Sequence, residues 1–92
     1  MRITFDPAKR AKTLVERGLD FADAAVVFSG PRIEFEDARR DYGEQRMLCF
    51  GLLRDSLVLV GYVVRGDTRH VFTMRKCNDR EKATYRERLG EG

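Results

Sequence analysis

Two apolar runs and a third strand, joined by two-residue polar turns, restrict this chain more than any other feature. Residues 45–53 and 56–64 are separated only by Arg54-Asp55, and Gly66-Asp67 leads from the second run into residues 68 to about 74. Turns that short reverse the chain between neighbouring strands, so the runs form consecutive antiparallel hairpins. Gly61, inside the second run, marks a bulge or a close backbone contact. Upstream, Arg32-Ile33-Glu34-Phe35-Glu36 alternates charged and apolar residues, as a strand with one solvated face does. The polar stretch 37–43 between them reads as a loop, charged enough to be mobile or to touch a ligand.

On either side of these strands the period is helical. Asp6 accepts first-turn N–H groups and Pro7 sacrifices none, which predicts a helix over residues 7 to about 17, closed by Gly18. Asp20 opens a short second helix, 21–28, with Phe21, Ala24, Ala25 and Phe28 at helical spacing, and Ser29-Gly30-Pro31 ends it. Asn78-x-x-Glu81 is a capping-box-like start for a charged helix running to about residue 89, before Gly90. With a first strand at the N-terminus, the order predicts an α+β fold. It consists of a mostly antiparallel sheet of four to five strands, two N-terminal helices and one C-terminal helix. The 92 residues suit one domain, 1–92.

Several classes are set aside by what the chain contains. Its longest strongly apolar run, residues 57–64, falls far short of the ~20 residues a membrane-spanning helix needs. The N-terminus reaches Asp6 and Pro7 before any apolar core of a secretory signal could form, so a cytoplasmic protein is expected. Cys49 and Cys77 stand 28 apart with His70 as the single histidine, which builds neither a four-ligand zinc site nor a disulfide scaffold. No metal and no cofactor are expected. Walker, GxSxG, HExxH and GxGxxG signatures are all missing. Cys49, between Leu48 and Phe50, reads as a packing thiol, and His70 as a partly buried side chain sharing a strand face with Phe72 and Met74.

Charge is more informative in its placement than in its sum. The net charge is +3, from 18 basic and 15 acidic residues. Fourteen of the basic residues are Arg, the side chain whose planar fork binds phosphate bidentately and stacks on bases. Between positions 69 and 88, seven basic residues face three acidic ones, a candidate polyanion patch whose ordinary alternative is a solvated helix face. Cleaving RNA asks a protein chiefly to orient a ribose 2′-hydroxyl against its own phosphate and to stabilise the developing negative charge, which arginines can do. Strict alternation along residues 68–75 places Arg69 and Arg75 on one face, with Arg46 joining if the strand ends meet. The competing assignment makes Glu44, Arg46 and Arg69 surface ion pairs of little consequence.

Four blocks together carry a resemblance. Ile3-Thr4-Phe5-Asp6-Pro7-Ala8-Lys9, then Arg17-Gly18-Leu19-x-Phe21-x-x-Ala24, then Glu44-x-Arg46-x-x-x-x-Gly51, then Arg69-His70-Val71-Phe72-Thr73-Met74-Arg75-Lys76 with Glu81 and Tyr85, resemble the BrnT family of bacterial toxins. The resemblance implies a RelE-like α+β fold and a metal-independent endoribonuclease that halts translation. It also implies a BrnA-type ribbon-helix-helix antitoxin partner, with DNA reached only through the antitoxin complex. The expected catalytic set is Arg46, Arg69 and Arg75 for phosphate and transition-state charge, Glu44 to orient Arg46 or act as base, and Tyr85 as proton donor. Lys9, Arg17, Lys76 and Arg80 are the expected RNA contacts. The chain departs from the family pattern at Arg17, where a histidine is common, at Thr13, where Asn is common, and in reading Thr73-Met74-Arg75-Lys76-Cys77 for Ser-Ala-Arg-Lys-Ala. An arginine does not replace a histidine as acid or base near neutrality. The alternative class is a non-catalytic basic module that captures nucleic acid or an acidic partner segment. A homodimer is expected only if an apolar strand or helix face is left uncovered.

Overall fold

Asp6 and Pro7 open the first helix, α1 (Pro7–Arg17), as their chemistry predicts. The Asp6 carboxylate accepts from the Ala8 N–H at 2.9 Å, and Gly18 closes the helix at φ 68° with its N–H donating to the Leu14 carbonyl. Asp20 starts the next element in the same way, bonding the Ala22 N–H. That element begins as a 3-10 turn (Phe21–Asp23) before becoming α2 (Ala24–Ser29). At the other end, Asn78 and Glu81 form a reciprocal capping box: the Glu81 N–H donates to the Asn78 side chain and the Asn78 N–H to the Glu81 carboxylate. The helix they start, α3, is Asp79–Tyr85, shorter than the sequence predicts. The chain then tightens into a 3-10 turn, Glu87–Leu89, which seats Leu89 against the sheet. The computed structural model describes residues 2–39 and 41–90.

Five strands form one mixed sheet: β1 (Arg2–Phe5), β2 (Arg32–Glu36), β3 (Arg46–Leu53), β4 (Ser56–Arg65) and β5 (Thr68–Lys76), in the order β1-β5-β4-β3-β2. The hairpins behave as the short turns dictate, and β2 through β5 pair antiparallel with their sequence neighbours. β1 lies parallel to β5, pairing from Arg2↔Thr68 to Phe5↔Val71. It therefore covers only the first half of β5. Beyond Val71 the outer edge of that strand has no strand neighbour among the described residues, and α1 runs beside it, with the Arg17 guanidinium donating to the Met74 carbonyl at 2.9 Å.

Side-chain alternation gives the sheet two unlike faces. One is covered by the Phe21–Asp23 turn and α2, which bury Phe21, Ala24, Val27 and Phe28 against Cys49, Val58, Val60, Tyr62, Val71 and Met74. Gly51 permits this contact, because a Cβ there would meet Val27 Cγ1 at 2.7 Å. The other face is closed at one end only, where Phe50, Leu57, Leu59, Cys77 and Leu89 cluster with Tyr85.

The β4–β5 ladder contains the irregularity that decides the site. Register runs Gly61↔Thr73 and then Tyr62↔Val71, so Phe72 is an extra residue, a β-bulge beside Gly61. Gly61 accounts for it sterically as well. A Cβ at that position would lie 2.8 Å from Phe72 Cζ and 2.7 Å from Thr73 Cγ2, so both side chains rest on the bare backbone. Bulge and close contact, offered as alternatives for this glycine, occur together.

Candidate functional site

The half-open face carries the arginines. Cross-strand register sets Arg46, Val63, His70 and Thr4 in one row over β3, β4, β5 and β1, with Phe50, Leu59 and Arg75 in a second. Between these rows lies a groove of about 500 Å³ whose walls include Phe35, Arg46, Leu48, Phe72, Arg75 and Glu81.

Arg46 is its central cation. Its guanidinium carbon lies 4.2 Å from the centroid of the Tyr42 ring and 4.6 Å from that of Phe72. It has no carboxylate partner among the described residues. Aromatic neighbours orient a guanidinium without neutralising it, so its charge and donors stay available to a ligand. The loop before β3 holds Tyr42 in place. Asp37 is buried at 7% exposure, and its carboxylate accepts a fork of bonds from Arg39 at 2.8 and 2.9 Å and one from the Tyr42 hydroxyl at 3.2 Å. These bonds, Arg39 first, hold the Asp37 carboxyl well below the usual carboxylate range. The Asp37 N–H also donates to the Arg46 carbonyl.

Arg75 is held differently. Both arms of its fork bond the Glu81 carboxylate at 2.8 Å, and one also reaches the Lys76 carbonyl. That pairing keeps the Glu81 carboxyl down at about 2, outweighing the opposite effect of burial. Glu81 thus joins the cap of α3 to the groove. Outside the 37–45 loop a second hollow, about 540 Å³, is lined by Glu36, Asp41 and Glu44. The groove sets Arg39, Arg46 and Arg75 against Glu36, Asp37 and Glu81, whereas the described lining of this hollow is acidic, so the groove is the candidate site.

The other expected site residues are spread out. Arg69 does not share a face with Arg75. The extra residue at Phe72 reverses alternation between them, sending Arg69 to the helix-covered side, where its guanidinium carbon lies 4.2 Å from the Phe28 ring centroid and 5.4 Å from that of Tyr62. Its Nε is buried without a hydrogen-bond partner. For the same reason His70 and Met74 point to opposite faces; His70 Nδ1 is 2.9 Å from the Thr4 hydroxyl. Glu44 does not orient Arg46. The hairpin register opposes it to Arg65, which it binds at 2.9 and 3.3 Å, and that contact lowers the Glu44 carboxyl. Tyr85 stacks on Phe50 at 4.3 Å, at the closed end of the groove. Lys9 and Arg17 line a separate cleft between α1 and β5. Lys76 ends β5 and Arg80 lies in the first turn of α3, both exposed. Tyr42 and Phe72, the rings on Arg46, are absent from the expected set; Gly61 is the signal that points to Phe72.

A half-open α+β sheet bearing an unpaired arginine between aromatic rings defines the general class, a small domain with a surface fitted to a polyanion. The fold is similar to the crystal structure of the Brucella abortus ribonuclease toxin BrnT, at a TM-score of 0.67 and 24% identity, covering 86% of this chain and 99% of that one. No curated protein matches the chain. Residues 5–81 match the family described as ribonuclease toxin, BrnT, of type II toxin-antitoxin system, and the chain belongs to that family of ribonuclease toxins. Membership implies an RNA substrate and an antitoxin partner. No helix among the described residues is long and apolar enough to cross a membrane.

Proposed function

We propose that this chain is a metal-independent endoribonuclease whose groove, centred on Arg46 and Arg75, binds RNA and stabilises charge at the scissile phosphate. The observation that carries the reading is the Arg46 guanidinium set against Tyr42 and Phe72, in no ion pair with a carboxylate among the described residues. In the reaction the ribose 2′-oxygen attacks its own phosphorus and the P–O5′ bond breaks. The products are a 2′,3′-cyclic phosphate and a 5′-hydroxyl, the two protons exchanging with solvent. The extra negative charge on the phosphoryl oxygens is met by preorganised guanidinium donors. Arg69 lies on the opposite face of the sheet, Glu44 is bound to Arg65 and Tyr85 is stacked on Phe50, and this mechanism needs none of them.

Cleavage of cellular RNA halts translation, and the antitoxin is of the BrnA, ribbon-helix-helix type, silencing the toxin by covering the cationic groove with a complementary surface. DNA is contacted through that partner. A homodimer would bury the exposed Leu14 and Val15 of α1 and is read from the mass of the free chain. The Arg75–Glu81 pair favours a second reading, a capture module that binds RNA without cutting it, because it lowers the net charge of the groove. Incubating antitoxin-free protein with single-stranded RNA in EDTA separates the two. Cleavage that is lost in Arg46→Ala and Arg75→Ala supports the enzyme, and salt-dependent retention of intact RNA supports the module.

A further inference from the structure

The cleft between α1 and the outer edge of β5 is a third hollow, of about 380 Å³, within the size range of small-ligand sites, roughly 300–1,000 Å³. It exists because β1 stops pairing at Val71, so that from Phe72 onward β5 is paired with β4 alone among the described residues, while α1 stands beside its outer edge. Lys9, Lys12 and Arg17 supply three cations and Glu16 one anion, and neither lysine has an ion-pair partner among the described residues. Its inner wall is Phe72 and Thr73, which are also walls of the Arg46 groove. The two hollows are therefore neighbours across a ridge one bulge wide.

We propose that this cleft is a second nucleotide subsite, holding the next stretch of the same single RNA strand as it crosses the Phe72–Thr73 ridge. The inference rests on the ribonuclease reading of the groove and extends it to the length and form of the substrate. Lys12 and Lys9 meet the backbone phosphate, Thr13 offers a hydroxyl to the ribose 2′-hydroxyl or to a base, and Glu16, the one anion of the cleft, opposes the phosphate. A strand passing over a ridge between an α-helix and a sheet edge is unstacked there, so the substrate is unpaired at this point, and the Phe72 ring stands where a splayed base would rest.

Wild-type protein, Lys12→Glu and Glu16→Lys are assayed on single-stranded oligonucleotides that share one scissile bond and are lengthened a nucleotide at a time. Both substitutions fall on exposed helix positions, and far-UV circular dichroism verifies folding. In the wild type, KM is expected to fall roughly tenfold at one step of lengthening on one side, with little change in kcat. Lys12→Glu abolishes that step and lowers the salt dependence of KM, whereas Glu16→Lys enlarges it. A step that survives Lys12→Glu unchanged overturns the subsite while leaving the ribonuclease reading intact. Failure of the wild type to cleave any oligonucleotide overturns that reading, and the subsite with it.

Discussion

The two faces of the sheet use the same residue types to opposite ends. On the helix-covered face Arg69 lies over Phe28 and Tyr62, enclosed by α2, and its Nε is shut away from any partner. On the half-open face Arg46 lies against Tyr42 and Phe72 at comparable distances, with a groove in front of it. Each face also depends on one glycine in a central strand: Gly51 admits Val27 of α2, and Gly61 admits Phe72 and Thr73. The contrast teaches that an arginine beside aromatic rings becomes a binding group only where no helix closes over it. Cover, rather than composition, separates core from site in this molecule.

The largest expected effect tests that contrast directly. Arg46→Ala should lower RNA cleavage about 100-fold or more, as removal of one transition-state donor commonly does, with little change in Tm. Arg69→Ala should lower stability by about 1–3 kcal/mol through lost packing on two rings, with cleavage per folded molecule within a few-fold of wild type. Abolished cleavage in a fully folded Arg69→Ala protein would break the division between faces. Next come the glycines. Gly51→Ala forces Val27 to give way and should cost about 1–3 kcal/mol in urea unfolding without altering KM. Gly61→Ala should raise KM several-fold as well, because the side chains it displaces are those of the groove.

Titration should separate the faces again. Glu81 is held at about 2 in the folded protein, below the 4.5 of a free glutamate, so its contribution is complete above pH 4.5 and is lost as pH falls toward 2. On the helix-covered side, burial and the neighbouring Glu34 carboxylate raise Cys49 from 9.0 and Tyr62 from 10.0, both to about 12. Their contribution is complete below those free values and is lost as pH rises toward 12. Thermal melts across pH should show an acid limb weakened in Glu81→Gln and an alkaline limb weakened in Tyr62→Phe. Glu81→Gln itself should cost about 1 kcal/mol at pH 7, a small figure because Arg75 is 38% exposed. The smallest effect belongs to the rim: Phe35→Ala, which removes a 40%-exposed ring stacked on Phe50, should cost about 0.5–1 kcal/mol.

Local chemistry made most of the fold legible. Asp6-Pro7, Gly18, Asn78 with Glu81, and the turns at 54–55 and 66–67 each act within a few residues of themselves, and each element they delimit is present. The parallel seating of β1 against β5 had no such signal, since it joins residues 66 apart through a crossover. Arg46 and Arg75 were legible as charges on a strand face. Tyr42 was not, because a carboxylate five residues away holds its ring over Arg46. Strict alternation along β5 pairs Arg69 with Arg75 and misses the reversal that the extra residue Phe72 imposes on that strand, although Gly61 opposite it signals a bulge or a close backbone contact. Glu44 was matched to Arg46 by proximity in sequence, where the hairpin register sets it across from Arg65.

The bulge at Phe72 divides β5 into two short strands with separate fates. Amides before it sit between two hydrogen-bonded neighbours and those after it beside one, so solvent exchange should quicken at that point along a single continuous strand. Substitutions before the seam answer to the packing of the core. After it the strand serves both ends: Thr73 and Arg75 wall the groove while Met74 stays in the core, so recognition can be retuned at the two groove positions without touching the buried one.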